Sequence, residues 1–341
     1  PGPSGSMYVL EAAKSRVVRI DPDGSVAPIL QLGALVTPRG LVFTEASEAT
    51  SIASGPNGLL FIASRDLCKV WVVEPGVSVR PYAGTGECGT SGDGGPATQS
   101  RINGPAGLAA DASGNLYIAE PRAHRIRAVN AEGRISTFAG TGDAGSAPDG
   151  AMANASPLTG PADVATGPDG LVYFTEPDLG LVRFVTATGA LGTVLRDGAP
   201  ATFVSPSAVA AGADGSIYVA DLSSQTVTQF YREAWRILAG IDARTSLGDG
   251  GPATQAWVAR PTAIISDGSG GIIFADSVHN KIRRIDATGV ISTIAGSGRR
   301  GAGGDAGRAL DAEMNQPEGL ALDADGNLYF RYENGLVALV E

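Results

Sequence analysis

The sequence has little of what most enzymes use for acid–base and metal chemistry. Its 341 residues include only two histidines, His124 and His279, and two cysteines, Cys68 and Cys88. A three-histidine zinc site is therefore impossible, and a Ser-His-Asp or Cys-His catalytic set is not credible. A single histidine acting as a general base is the only histidine chemistry that the composition leaves open.

Lysine is also scarce, with only Lys14, Lys69 and Lys281, and the formal net charge is −10. This balance argues against a nucleic-acid partner, because such proteins need a basic face. No apolar run is long enough to span a bilayer, and we expect no signal peptide in this sequence. We interpret PGPSGS, residues 1–6, as an expression-tag remnant that precedes a single domain over 7–341.

Amphipathic helical spacing is missing as well, and a repeated unit takes its place. The best-defined copy runs from Pro105 to Gly140 and reads PAGLAADASGNLYIAEPRAHRIRAVNAEGRISTFAG. Its four short apolar segments are separated by turns rich in Gly, Asp and Asn, a pattern typical of a meandering antiparallel sheet. Related copies start at Ala49, Pro161, Pro206 and Pro261.

The glycine of the first turn recurs at intervals of 45 to 56 residues. It stands at Gly58, Gly114, Gly170, Gly215, Gly270 and Gly326. Four strands at this period predict an all-β propeller of four-stranded antiparallel blades. Residues 7–30 lack a first strand and residues 316–341 lack a fourth, so we expect the N- and C-terminal strands to pair and close the ring. Six blades is the favoured number and seven is the alternative, since the strand count fits neither without remainder.

The unit resembles the NHL repeat, most closely the bacterial form found in secreted proteins and in the sensor domains of some receptor kinases. The residues that carry the resemblance are PAGLA at 105–109, GNLYIAE at 114–120, HRIR at 124–127 and HNKIR at 279–283. The resemblance covers nearly the whole chain and implies a propeller. It implies little about function, because the family includes adhesion and sensor modules, RNA-binding modules and some lyases.

Candidate site residues are those that break the repeat. Asp163 and Glu318 stand just after the opening proline, where most copies have small residues, and we expect both at the channel mouth on the loop face. Two carboxylates there can hold Ca²⁺ together with backbone carbonyls, although solvated loop acids are the commoner explanation. His124 and His279 are further ligand-binding candidates, but both lie in the loop after the second strand, where we favour a structural role.

Acids that recur at the same position in several copies are interpreted differently. Glu120, Asp221 and Asp276 each end a second strand. Their repetition favours a structural role, in which they accept backbone N–H bonds from the following turn.

The two cysteines occupy loops that open on the same face. In repeat register Cys68 falls where His124 falls, and Cys88 falls in the loop that leaves the fourth strand. A disulfide between them would suit an extracytoplasmic protein. Two free thiols are the alternative, and the sequence does not decide between them.

These observations favour a non-enzymatic binding or scaffold module. We expect it to present its loop-rich face to a protein, peptide or glycan and to be an extracytoplasmic or secreted monomer, either on its own or as a domain of a larger protein. We expect no cofactor, with a divalent metal such as calcium as the alternative. The alternative function is a propeller lyase or hydrolase with a metal-assisted site at the channel mouth.

Overall fold

The structure is a computed structural model that describes residues 7–11, 16–20, 26–31, 49–74, 78–232, 234–240, 247–301, 308–322, 326, 328–332 and 335–339. Almost all regular structure in these ranges is β-strand, interrupted by 3₁₀ turns. None of the described helices is long and apolar enough to cross a membrane. The all-β prediction is therefore confirmed, whereas the interpretation of residues 1–6 lies outside the described residues.

Three strands come first and are followed by two complete blades. The first strands are β1 (Met7–Glu11), β2 (Arg16–Ile20) and β3 (Val26–Gln31). Blade 1 contains β4 (Ala49–Ser54), β5 (Leu60–Ser64), β6 (Lys69–Glu74) and β7 (Ser78–Ala83). Blade 2 contains β8 (Gly107–Ala110), β9 (Leu116–Glu120), β10 (Arg125–Val129) and β11 (Ile135–Ala139).

Three further blades follow along the chain. Blade 3 contains β12 (Val164–Thr166), β13 (Val172–Glu176), β14 (Leu181–Val185) and β15 (Leu191–Thr193), and a small hairpin of β16 (Leu195–Arg196) and β17 (Ala199–Pro200) follows it. Blade 4 contains β18 (Pro206–Ala211), β19 (Ile217–Asp221), β20 (Thr226–Tyr231) and β21 (Ala234–Ala239). Blade 5 contains β22 (Pro261–Ser266), β23 (Ile272–Asp276), β24 (Lys281–Ile285) and β25 (Ile291–Ala295). The last strands are β26 (Leu320–Leu322), β27 (Leu328–Tyr332) and β28 (Gly335–Leu339).

The number of blades differs from the prediction. Five sheets have four strands each, so the expectation of six four-stranded blades, or of seven, is wrong. The terminal strands instead form one six-stranded sheet in the order β26-β27-β28-β1-β2-β3, here called the terminal sheet. The cause is the antiparallel pairing of β28 with β1, in which Leu336 lies opposite Leu10. This contact joins both incomplete units edge to edge, and every strand of each unit is kept.

Turn chemistry defines the strands inside each blade. In blade 2, one carboxylate oxygen of Asp111 accepts the N–H groups of Ser113 and Asn115, both at 2.9 Å. Gly114 completes this turn at φ +85°, in a region that L side chains rarely adopt. The following strand β9 then pairs with β8 on one side and β10 on the other, with Ile118 buried between neighbouring blades.

The segment between the fourth strand of one blade and the first strand of the next is called a connector. In the connector after blade 1, Pro96 forms a bridge with Arg134 of blade 2, and the Ala97 N–H donates to the Gly133 carbonyl at 2.8 Å. Equivalent bridges hold the connectors after blades 2 and 4. The long connectors therefore pack against the third-to-fourth-strand turn of the next blade instead of forming free loops.

Candidate functional site

The first strands surround a cavity of about 700 Å³. Going around the axis, β4, β8, β12, β18, β22 and β26 each lie against the next, and β26 returns to β4. Small side chains such as Ala106, Ala162 and Ala208 line this cavity, so the backbone comes close to the axis. The loop face is the end at which first strands begin and second strands end, and Pro121, Leu222 and Glu318 are among the residues that line the cavity there.

A set of hydroxyl groups ties neighbouring blades together at this end. Each donates a hydrogen bond to the carbonyl of the opening proline in the next repeat. The pairs are Thr50 with Pro105 at 2.7 Å, Ser207 with Pro261 at 2.7 Å, and Thr262 with Pro317 at 3.0 Å. These bonds fix the positions of the first strands and make the mouth of the cavity polar.

Asp163 lies at this mouth, where the sequence placed it, and it also bridges two blades. Its Oδ2 accepts the N–H of Val209, on the first strand of blade 4, at 3.0 Å. Burial raises the pKa of the Asp163 carboxyl to about 7, while the bonds from Val209 and Val164 act in the opposite direction. Strand β8 passes very close, since a Cβ on Gly107 would stand 2.8 Å from Oδ1. Asp163 is thus a cavity-wall residue that can exchange a proton near neutral pH.

Glu318 and two arginines line the same cavity. Glu318 precedes β26 on the terminal sheet, Arg65 follows β5 on blade 1, and Arg260 precedes β22 on blade 5. Neither arginine was predicted from the sequence as a site residue. The criterion that identified Asp163 and Glu318 would also have found them, because Arg65 and Arg260 stand at positions where other copies of the repeat have uncharged residues.

The two histidines do not line the cavity. Nδ1 of His124 accepts the N–H of Gly160 at 3.0 Å, in the connector that leads to blade 3. Nδ1 of His279 donates to the buried carboxylate of Asp276 at 2.8 Å, and its ring meets Trp257 edge-on at 4.5 Å. Both rings therefore hold loops in place, and the structure does not bring them together with Asp163 and Glu318.

The loop after the second strand contains one left-handed residue whose side chain holds the connector. It is Cys68 at φ +48° in blade 1, His124 at +50° in blade 2 and Asn280 at +53° in blade 5. Cys68 forms a disulfide with Cys88 of the connector. His124 and Asn280 instead accept the N–H groups of Gly160 and Gln316, each at 3.0 Å. The disulfide thus takes the place of a hydrogen bond in the repeat.

The acids that end second strands do accept backbone N–H groups. Glu176 accepts from Thr159 at 2.6 Å, and Asp221 accepts from Val204 at 2.7 Å. Glu120 is fully buried, and burial raises its pKa to about 8, although Arg127 and the backbone N–H of Asn103 oppose the shift.

A buried arginine on the third strand of three blades pairs with a connector aspartate. The pairs are Arg127 with Asp93, Arg183 with Asp149 at 3.3 Å, and Arg283 with Asp249 at 2.8 Å. These acids and arginines serve the blade interfaces, which excludes them from the candidate site.

No group of three or more His, Cys, Asp and Glu side chains in the described part of the chain is placed to hold a metal ion. Asp163 and Glu318 share the cavity without a third such ligand beside them. The calcium alternative stays a prediction, and the chemistry that the mouth supports directly is hydrogen bonding and ion pairing with a polar ligand.

The ring of repeated four-stranded sheets defines the class, a β-propeller, and its repeat motifs resemble the NHL repeat. In particular, the family model of the teneurin NHL domain matches residues 1–149. Teneurin-3 of Danio rerio is 27% identical over 352 residues, which is 96% of this chain and 11% of that protein. The chloroplastic protein SUPPRESSOR OF QUENCHING 1 of Arabidopsis thaliana is 28% identical over 254 residues, covering 67% of this chain and 24% of that protein.

The chain thus spans about a quarter or less of these relatives' length. Solved structures with the same fold include a streptogramin B lyase, with a TM-score of 0.61, 16% identity, and coverage of 98% of this chain and 89% of that one. A gluconolactonase from Xanthomonas campestris has a TM-score of 0.59 and 16% identity, with 86% of each chain covered. Identities this low establish the fold alone.

Proposed function

We propose that the chain is a non-enzymatic binding module that holds a polar group of its ligand in the channel mouth on the loop face. The observation that carries this proposal is the mouth itself, a cavity of about 700 Å³ lined by Asp163, Glu318, Arg65 and Arg260. A few charged groups converging on a concave site of this size are typical of ligand recognition. The ligand presents a protein, peptide or glycan group to the loop face.

The alternative, a metal-assisted lyase or hydrolase, has less support. It would depend on Asp163 and Glu318, since His124 and His279 already hold loops elsewhere. The resemblance in fold to a lyase and to a gluconolactonase does not bring their active-site residues to this chain.

The proposed location is extracytoplasmic. The disulfide between Cys68 and Cys88 supports it, because disulfides persist in oxidising compartments. The module acts as a monomer in this proposal.

Arrays of peptides and glycans, probed with the intact chain, test the proposed function. We expect a ligand whose binding is lost when Asp163 is replaced by Ala and kept when Glu132 is replaced by Gln. Glu132 is an exposed acid outside the cavity and is the matched control. Turnover of an ester, lactone or glycoside substrate that is lost with Asp163→Ala would contradict the proposal.

A further inference from the structure

Arg65 and Arg260 occupy positions at which other repeats have residues without charge. Arg65 stands where blade 2 has Pro121 and blade 4 has Leu222, and both of those residues also line the cavity. Arg260 directly precedes the opening proline of blade 5, a place that Gly104 and Gly160 take before blades 2 and 3. Other repeats fold with uncharged residues at these two positions, so the fold itself does not require an arginine at either place on the cavity wall.

Arg260 lines the cavity from a backbone position that glycine occupies in two other repeats. Arg260 has φ +54°, and Gly104 and Gly160 have φ +66° and +54° at the equivalent positions. Glycine adopts this conformation without steric strain, whereas an arginine does so at a cost in stability. Gln316 has the same conformation before Pro317 without lining the cavity, so what distinguishes Arg260 is the strained conformation together with a side chain on the cavity wall.

Arg65 supports the same interpretation from the neighbouring side. Its Nε is buried and has no hydrogen-bond partner among the described residues. Blades 1 and 5, which carry Arg65 and Arg260, flank the terminal sheet, since β26 lies against both β4 and β22. Both guanidinium groups thus belong to one side of the cavity. Asp163 precedes β12, which lies opposite β26 in the ring of first strands.

We propose that Arg65 and Arg260 bind a carboxylate of the ligand, while Asp163 accepts a hydrogen bond from an amine or hydroxyl group on the same ligand across the channel. This inference rests on the proposed binding function and names the chemistry of its ligand. Arginine matches a carboxylate with paired, charge-assisted hydrogen bonds. A phosphate fits less well, because its second negative charge would meet Asp163 and Glu318 in the same cavity. A peptide end and a sugar acid both supply the required groups.

Calorimetric titration of the intact chain tests this with defined probes. They are triglycine, triglycinamide, N-acetyltriglycine, galacturonate and inorganic phosphate. We expect triglycine or galacturonate to bind, and which of them binds more tightly identifies the source of the carboxylate. If triglycine binds, we expect at least about tenfold weaker binding once its carboxylate is amidated, and weaker binding once its amine is acetylated. Failure of both free acids to bind, equal affinity for triglycinamide, or tighter binding of phosphate would overturn the inference.

Two backbone-matched variants separate binding from folding. Arg260→Gly removes the guanidinium and places glycine in a conformation that suits it, so we expect at least about tenfold weaker binding with no fall in thermal stability. Gln316→Gly makes the same backbone change at φ +48°, outside the cavity lining, and should leave binding unchanged. Arg65→Met keeps the apolar stem and should weaken binding like Arg260→Gly.

Unchanged affinity in both arginine variants would refute the arginine assignment. A ligand found on the arrays that depends on Asp163 but not on either arginine would leave the binding function standing and remove only this inference.

Discussion

Replacing Asp163 by Asn should change how the stability of the protein depends on pH. The carboxyl accepts the Val209 N–H at 3.0 Å, and an asparagine side chain can accept the same bond through its amide oxygen without carrying a charge. Burial raises the pKa of Asp163 to about 7 in the folded protein, whereas an unfolded chain has an Asp pKa of about 4.

The sign of the effect follows from this difference. Between about pH 4 and pH 7 the folded protein keeps a proton on Asp163 that the unfolded chain has lost, so the free energy of unfolding falls as pH rises through that window. A shift of about 3 units corresponds to about 4 kcal/mol at most. Because the side chain keeps some contact with water in the channel, we expect about 1 to 2 kcal/mol. An amide at this position cannot titrate, so the Asp163→Asn variant should gain this amount over the parent protein as pH rises from about 4 to about 7, and keep it above pH 7.

Urea unfolding followed by tryptophan fluorescence at several pH values measures this difference. Burial also raises the pKa of Glu120, to about 8. Its contribution to the pH dependence of the free energy of unfolding is the same in both proteins and cancels in the difference. Asp163→Ala is the control for the hydrogen bond, since it leaves the Val209 N–H without its acceptor and should cost about 1 to 3 kcal/mol without restoring the slope. Parallel pH profiles for Asp163→Asn and the parent protein would refute the reasoning.

Three further predictions concern the interfaces that hold the blades. Arg127→Met removes a fully buried guanidinium and leaves the connector carboxylate of Asp93 without its partner, so it should lower the free energy of unfolding by about 1 to 3 kcal/mol, measured in urea; a loss below about 0.5 kcal/mol would contradict it. Cys68→Ala opens a disulfide that spans 20 residues and should cost about 3 kcal/mol, measured against the parent protein without reductant, and the difference should vanish when reductant is added. Gly140→Ala would put a Cβ 2.2 Å from the His124 carbonyl oxygen and should lower the melting temperature far more than Gly133→Ala, which has the same sign of φ and open space around it; equal losses would show that φ alone matters.

Much of the fold could be predicted because the signals for strands and turns lie within each repeat. The Asp-x-x-Gly turns and the alternating apolar strands are local features, and they predicted the strand order of every blade correctly. The number of four-stranded blades was wrong, because it depends on the contact between Leu10 and Leu336, which are far apart in sequence. Edge-to-edge pairing of this kind leaves no periodic signal in either strand.

The candidate site was predicted in part for a related reason. Asp163 and Glu318 stood out because acids replace small residues at a repeated position. Arg65 and Arg260 escaped notice because arginine is the common cation of this chain and other arginines lie nearby. Only the structure shows that these two line the cavity while Arg127 is buried at a blade interface.

The terminal sheet also bears on how the ring resists force. One registered residue pair joins β28 to β1, whereas β4 and β5 in blade 1 share five. Tension on the terminal sheet should therefore separate β1–β3 from β26–β28 at this junction first, while β26 stays packed against β4 and β22. Blade 1 is the first blade after β3 along the chain. Its connector is held by the Cys68–Cys88 disulfide, whereas the connectors of blades 2 and 5 are held by a hydrogen bond at the equivalent position. A break between β28 and β1 would thus release only the outer half of the terminal sheet, and the six first strands around the cavity would stay assembled.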